Sequence, residues 1–114
     1  MSERFAEVVA RLEATIASRK GADPQSSYTA KLLGGGPERT AKKFGEEAIE
    51  TALAAVKGDS DHVAAESADL IYHWLVLLSS VNVSLDEVAA KLEAREGSSG
   101  IAEKASRGGG SNAS

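Results

Sequence analysis

The chain has 114 residues, 13 of them basic and 17 acidic, and no cysteine. That length suits one small domain, the mildly acidic balance gives no general attraction to nucleic acid or to an anionic membrane, and the lack of thiols excludes disulfides and thiolate metal sites. No apolar run approaches the roughly 20 residues that span a bilayer, and no secretory signal is apparent, so we expect a cytoplasmic protein.

Three helices are predicted in the first half of the chain. Ser2 caps a first helix that reaches about Lys20, where Gly21 is a stop signal, and its apolar residues recur at helical spacing: Phe5, Val8, Val9, Leu12 and Ile16. A short helix follows through Tyr28–Leu33. After Gly34–Gly36, Pro37 opens a long helix that reaches about Lys57, with Gly58 beyond its end.

The second half predicts two more helices. Asp59 or Ser60 opens one that runs to about Val81 and is apolar almost all round between residues 70 and 78. A capping box over residues 84–87 opens the last, which reaches about Glu96. Beyond it we expect one helical turn at most, and a disordered tail over residues 108–114.

The absence of any convincing alternating run makes strands improbable. We therefore predict an all-α domain over residues 1–107, a bundle of four to five helices. The apolar helix between residues 70 and 78 needs neighbours on several sides, so we expect dimerisation to complete the bundle. The short connection after Lys57 favours an antiparallel hairpin of the third and fourth helices.

Acidic clusters lie on both helices of this hairpin. The third helix carries Glu46, Glu47 and Glu50 on one arc, and the remaining arc is expected to be buried: Ala48, Ile49, Ala52, Leu53 and Val56. The fourth helix carries Glu66 and Asp69 among apolar residues. Because a carboxylate in apolar surroundings needs a compensating charge, this second cluster predicts a bound cation.

Five oxygen ligands from two helices suit a hard divalent cation, above all Mg²⁺, which is completed by substrate phosphate oxygens. A phosphate ester or anhydride is the substrate class that this indicates. The alternative is a solvated acidic face, with salt bridges to the nearby basic residues. His73 lies four residues after Asp69 and is either a core histidine or a further ligand.

Basic residues precede the first acidic cluster on the same helix, namely Arg39, Lys42 and Lys43. Their offset of one to two turns lets metal-bound phosphates bridge the two patches. The glycine-rich turn before Pro37 also offers free N–H groups to an anion, although it lacks the other parts of a P-loop. Tyr28, Thr29 and Lys31 are candidate substrate contacts, and ordinary packing and surface roles are their alternatives. Trp74 is expected in the core or a subunit contact.

Five segments together resemble a known enzyme family. They are SYTAKLL, GPERTAKKFGEEAIETALAAVKGD, ESADLIYHWLVLL, SLDEV and REGSSGIAEKASR. The chain is similar from about Phe5 to Arg107 to the phosphoribosyl-ATP pyrophosphohydrolases of histidine biosynthesis. The two acidic motifs are shared by all-α nucleotide pyrophosphohydrolases more widely, whereas SYTAKLL and SGIAEKASR are narrower signatures.

The resemblance implies a Mg²⁺-dependent dimer that cleaves the α–β anhydride of 1-(5-phosphoribosyl)-ATP, releasing pyrophosphate. It matches five metal ligands residue for residue: Glu46, Glu47, Glu50, Glu66 and Asp69. Glu47 is the candidate catalytic base, and Glu50 is a second candidate catalytic residue. Substrate phosphates are expected at the basic patch, at SYTAKLL and at Lys104 and Arg107. The cyclohydrolase of the next step is expected as a separate protein.

Two other functions are compatible with the same sequence features. A house-cleaning nucleoside triphosphate pyrophosphohydrolase has the same metal chemistry with another base or sugar preference. A non-catalytic helical dimer that binds a metal or a partner protein would instead neutralise its acidic faces with salt bridges.

Overall fold

A computed structural model describes residues 3–97 of the protein. The described residues divide into two compact units, one that extends through Ser84 and one that begins at Leu85. The regular secondary structure of the described residues is entirely helical, which confirms the all-α class. Its helices are α1 (Glu3–Ser18), α2 (Tyr28–Gly34), α3 (Gly36–Lys57), α4 (Ser60–Ser80) and α5 (Leu85–Glu93).

Helix α1 packs against α4 through one end of its apolar stripe. Ile16 is fully buried and Leu12 is half-buried, whereas Phe5 and Val8, nearer the N-terminus, are both 43% exposed. The helix ends two residues before the predicted Lys20. The amphipathic pattern therefore predicted the helix correctly, but a single chain covers only part of its apolar face.

Helix α2 is a short capped segment that leads directly into α3. The Ser27 side chain accepts a hydrogen bond from the Ala30 N–H at its start, and the Gly35 N–H donates to the Leu32 carbonyl at its end. Gly36 then adopts a φ of +78°, in the left-handed region that favours glycine. The glycine-rich turn thus ends one helix and starts the next within two residues.

Helices α3 and α4 form the predicted antiparallel hairpin. Thr40 Oγ1 lies 2.9 Å from Ser80 Oγ near one end, and Thr51 Oγ1 donates to the Glu66 carbonyl over 3.1 Å further along. The order of these pairs requires opposite chain directions. Asp59 caps α4 by accepting from the His62 N–H at 3.2 Å, which confirms the start signal.

The core of the first unit lies where α4 meets the other helices, and its buried apolar residues are Ile16, Ala30, Leu32, Ala54, Leu75 and Val76. Small residues make the α3 side of this packing, since Thr40 and Ala54 are each 1% exposed. They let the two hairpin helices approach closely. They also turn the larger apolar residues of α3 away from α4.

The expectation of a buried apolar arc on α3 was consequently wrong for four of its five residues. Ile49, Leu53 and Val56 are 64%, 56% and 84% exposed, and Ala52 is exposed with them. Only Ala48 is half-buried. One chain therefore presents an apolar stripe on α3 to solvent.

The described part of the second unit is α5 and the turns that follow it. The helix ends at Glu93, three residues before the predicted Glu96, because the N–H groups of Arg95 and Glu96 bond three residues back instead of four. Lys104, Arg107 and the tail predicted over residues 108–114 lie outside the described residues. Between residues 3 and 97 no single helix is long and apolar enough to cross a membrane, and α4 and α5 pass that test only if joined across their break.

Candidate metal and phosphate site

Three of the five predicted ligands come together on the hairpin. Glu47 of α3 and Glu66 and Asp69 of α4 each offer a carboxylate oxygen, and these oxygens lie within 4.8 Å of one another. The antiparallel pairing produces this meeting, because it places residues 47–51 of α3 beside residues 66–69 of α4. We call these three residues the carboxylate cluster.

Glu66 is the most enclosed member of the carboxylate cluster, with a side chain 17% exposed. Its Oε2 lies 3.1 Å from His62 Nε2, one helical turn earlier. Its Oε1 is buried and has no hydrogen-bond partner among the described residues. A buried acceptor without a partner is costly, so this oxygen is suited to a ligand that the protein itself does not supply.

The carboxylate cluster also perturbs the acidity of Glu47. Partial burial raises the pKa of this side chain above its usual 4.5, and the negative charges of Glu50, Asp69 and Glu66 raise it further. Lys43 acts in the opposite direction. A cation bound among these carboxylates would therefore stabilise the ionised form of Glu47.

A hydroxyl that sequence reasoning missed ties the two halves of the site together. The Thr51 hydroxyl has two acceptors that share its one hydrogen, the Glu47 carbonyl at 2.8 Å and the Glu66 carbonyl at 3.1 Å. It thus joins the two residues that carry opposing carboxylates. Thr51 lies four residues after Glu47, which is the only sequence signal for its role, and its contact across the hairpin has none.

The other two predicted ligands lie outside the carboxylate cluster. Glu46 is 3.5 Å from Lys43 Nζ in an exposed ion pair, and Glu50 is exposed although its charge acts on Glu47. Asp69 is exposed too, so the premise that both carboxylates of α4 are buried in one chain holds only for Glu66. The apolar residues of α4 face the core further along, and Asp69 lies on its open side.

The predicted basic residues form a surface of their own. Arg39, Lys42 and Lys43 line an open depression of about 600 Å³ together with Gly35, Glu38 and Glu46. The Arg39 side chain lies so close to Gly35 that a methyl group there would collide with it. The Gly35 N–H already bonds the Leu32 carbonyl at the end of α2, so it is not available to bind an anion. The role of Gly35 in the depression is to leave space for the Arg39 side chain.

His73 is buried, at 7% exposure, and packs edge-on against two tyrosine rings. The ring centroids of Tyr72 and Tyr28 are 4.9 Å and 6.4 Å from that of His73. Burial, with the nearby Lys43, lowers the pKa of His73 below 6.5, so it is neutral at physiological pH. These contacts favour the interpretation of a core histidine.

The other predicted substrate contacts lie around this ring cluster. Thr29 Oγ1 is 2.5 Å from the Tyr72 hydroxyl, which joins α2 to α4. Tyr28 is 54% exposed, and Lys31 is exposed. Tyr28 therefore has a free face for a ligand, whereas the Thr29 hydroxyl is engaged in packing. Trp74 is half-buried on α4.

Comparison with known proteins decides the family. The sequence profile of the phosphoribosyl-ATP pyrophosphohydrolases matches residues 9–96. The chain belongs to this family. It is 65% identical over 107 residues to the phosphoribosyl-ATP pyrophosphatase of Caulobacter vibrioides, covering 94% of this chain and 99% of that one.

Two further relatives carry the same name. The chain is 64% identical over 100 residues to the protein of Dinoroseobacter shibae, which covers 88% of this chain and 98% of the relative. It is 60% identical over 101 residues to that of Cereibacter sphaeroides, with 89% and 98% covered. Near-complete coverage on both sides means that the matched region includes the carboxylate cluster and the basic depression.

Proposed function

We propose that the protein hydrolyses 1-(5-phosphoribosyl)-ATP to 1-(5-phosphoribosyl)-AMP and pyrophosphate, the second step of histidine biosynthesis, in the cytoplasm. The observation that carries the proposal is the carboxylate cluster next to a basic depression, in a chain whose relatives are named for this activity. Two opposite charge patches on neighbouring turns of α3 suit a substrate that brings both a polyphosphate and its counter-cation.

The carboxylate cluster fits Mg²⁺. Its donors are all hard oxygens, the buried Glu66 Oε1 has no partner among the described residues, and Glu47 is destabilised as an anion by its neighbours. Glu47, Glu66 and Asp69 would hold the ion, with Glu46 and Glu50 at the edge. When bound, Mg²⁺ supplies positive charge against the anhydride oxygens and the leaving pyrophosphate.

The protein's own part in the reaction is to bind, position and move a proton. Arg39 and Lys42 bind phosphate oxygens in the depression, and Lys43, between the two patches, orients the triphosphate toward the carboxylates. Glu47 accepts the proton of the attacking water, because it faces the other carboxylates of the cluster and a carboxylate that offers one oxygen to the ion keeps its second oxygen as a proton acceptor. Glu50 is the second candidate for that role.

The deciding experiment is pyrophosphate release from purified protein, with phosphoribosyl-ATP, ATP, dUTP and dCTP as alternative substrates, in Mg²⁺ or in EDTA. Metal-dependent release confined to phosphoribosyl-ATP is expected. Release from the ordinary nucleotides would transfer the protein to the house-cleaning class. No release from any of them, with intact folding, would favour a binding protein.

The assembly that we propose is a homodimer in which the exposed stripe of α3 is covered. Ile49, Leu53 and Val56 are spaced four and three residues apart, so they lie on one face of the helix. Contiguous exposed apolar side chains of this kind mark association surfaces. The stripe borders Glu46 and Glu50, and dimerisation would therefore also restrict solvent at the edge of the site.

Sedimentation equilibrium tests the assembly. A Leu53→Glu chain is expected to be monomeric at micromolar concentration, whereas the wild type is dimeric, because the new charge cannot be buried against a second stripe. Leu92→Glu is the matched control, since Leu92 is similarly exposed, at 60%, but lies on α5. A monomeric wild type would refute the dimer.

A further inference from the structure

The contact between His62 and Glu66 is not explained by the fold or by the proposed reaction. His62 is in the first turn of α4, held there by the bond from its backbone N–H to Asp59. Its side chain is 47% exposed and reaches one turn along the helix to a carboxylate that is itself mostly covered. An exposed histidine side chain that hydrogen-bonds a candidate metal ligand points to a role at that ligand.

The two oxygens of Glu66 are in opposite situations. Oε2 lies 3.1 Å from His62 Nε2, while Oε1 is buried and has no partner within residues 3–97. An ionised carboxylate only accepts hydrogen bonds, so Nε2 carries the hydrogen in this contact. The bond therefore occupies one oxygen and leaves the enclosed one free.

We propose that His62 is a positioning residue for the metal site, which holds the Glu66 carboxylate in the orientation that presents Oε1 as a ligand. The inference rests on the proposed function, because it needs a cation at the carboxylate cluster. A carboxylate on a glutamate side chain rotates readily about its last bonds, and a fixed donor on one oxygen removes that freedom before the cation arrives.

Helix geometry assigns this role to His62 alone among the described residues that surround Glu66. Thr51 bonds the Glu66 backbone carbonyl and leaves its side chain untouched. Glu47 and Asp69 meet the side chain with like charge, which repels without orienting it. Lys43 pairs with Glu46. One oxygen of the Glu66 carboxylate is bonded by His62 and the other has no hydrogen-bond partner among residues 3–97, so the orientation of the carboxylate depends on the histidine.

The test measures Mn²⁺ binding to the full chain by electron paramagnetic resonance of the free ion, and does not depend on turnover. Protein stripped with EDTA is titrated near pH ~8, above the range in which free imidazole takes up a proton. The variants are His62→Ala, His62→Gln and Glu66→Gln. Ser60→Ala, a change at an exposed residue in the same helical turn, is the control, and thermal unfolding in EDTA checks that each variant folds.

The expected result is that His62→Ala weakens Mn²⁺ binding by about tenfold, the lower end of what loss of a ligand's supporting hydrogen bond costs. His62→Gln should restore affinity, because the glutamine amide can donate to the same oxygen one turn along. Ser60→Ala should bind as the wild type does. Rescue by glutamine separates orientation of the ligand from a general effect on the helix.

Two failures are distinguishable. If Glu66→Gln abolishes Mn²⁺ binding but His62→Ala leaves it unchanged or tightens it, the positioning role is wrong and the metal site stands; tighter binding would mean that the histidine competes with the ion. If Glu66→Gln itself binds Mn²⁺ as the wild type does, the metal site and the positioning role both fall.

Discussion

Replacing Glu47 by glutamine is expected to stabilise the metal-free protein. The substitution removes one charge from three carboxylates while keeping the size of the side chain. Two unit charges 4.8 Å apart repel by about 0.9 kcal/mol at the dielectric constant of water and by about 3.5 kcal/mol at an effective value of 20. Asp69 is exposed, so solvent screening favours the lower figure.

The repulsions of Glu47 from Glu50, Asp69 and Glu66, less the lost attraction to Lys43 and with solvent screening, leave a gain of about 1 kcal/mol in the free energy of unfolding. For a domain of this size that corresponds to a rise in Tm of about 4–8 °C in EDTA at neutral pH. The gain depends on pH in a defined direction. Because the pKa of Glu47 is raised in the folded state, the charged wild type is penalised above that pKa, and the penalty disappears as pH falls toward 4.5.

Magnesium should reverse the ranking of the two proteins. A ligand at one hundred times its Kd adds about 2.7 kcal/mol to the stability of the form that binds it, and Glu47→Gln should lose most of this shift. Scanning fluorimetry with EDTA or Mg²⁺, at neutral pH and near pH 4.5, measures both effects. Glu46→Gln is the control, since Glu46 is paired with Lys43 and its neutralisation should not raise the Tm in EDTA.

The reasoning would be refuted by a Glu47→Gln protein that is less stable than the wild type in EDTA, because the carboxylates would then not repel. A full Mg²⁺-induced shift in that variant would equally refute the assignment of Glu47 as a ligand. The first outcome concerns the electrostatics of the folded chain and the second concerns the ion, so one experiment separates them.

Three further perturbations follow from the same geometry. Thr51→Val should lower the free energy of unfolding by about 1 kcal/mol in urea titrations and weaken Mn²⁺ binding. Thr51→Ser should retain both, because the Thr51 side chain makes these hydrogen bonds through its hydroxyl and not through its methyl group. Arg39→Ala should raise the KM for phosphoribosyl-ATP more than it lowers kcat, whereas Lys57→Ala, at the far end of α3, should change neither. By NMR of the metal-free protein, His73 should have a pKa below 6.5. Its contribution to stability is complete above pH 6.5 and should be lost as pH falls from 6.5 toward its folded-state pKa. A His73 pKa at the usual value would contradict its burial.

The helices were predictable because their ends carry local signals. Asp59 caps α4 and Gly58 ends α3 with a φ of +79°, and both effects depend only on neighbouring residues. The end of α5 at Glu93 was less predictable, since no residue there forces a stop before Gly97. Boundaries without a cap depend on packing that the sequence does not display.

The prediction of which face of α3 is buried was wrong, and the reason is physical. Hydrophobicity alone favoured burial of Ile49, Leu53 and Val56, yet the hairpin packs through Thr40 and Ala54, which allow the helices to come closer. Periodicity identifies an apolar face but does not say whether its partner is in the same chain or in another. The carboxylate cluster was predictable as a set of ligand types, whereas the meeting of Glu47 with the two carboxylates of α4 required the register of the hairpin.

The hairpin register also accounts for how a protein of net charge −4 can hold a polyphosphate. The chain as a whole repels such a ligand, so attraction must come from the local arrangement of charge. Basic residues and acidic residues occupy successive turns of α3, and Lys43 interacts with two of the acidic residues: it is paired with Glu46 and lowers the pKa of Glu47. A cation at the carboxylate cluster would neutralise these carboxylates in place of Lys43, and the Lys43 ammonium group would then be available to the phosphates. The metal and the phosphates would then bind favourably together and poorly apart, which favours the metal–nucleotide complex over the free nucleotide as the true substrate.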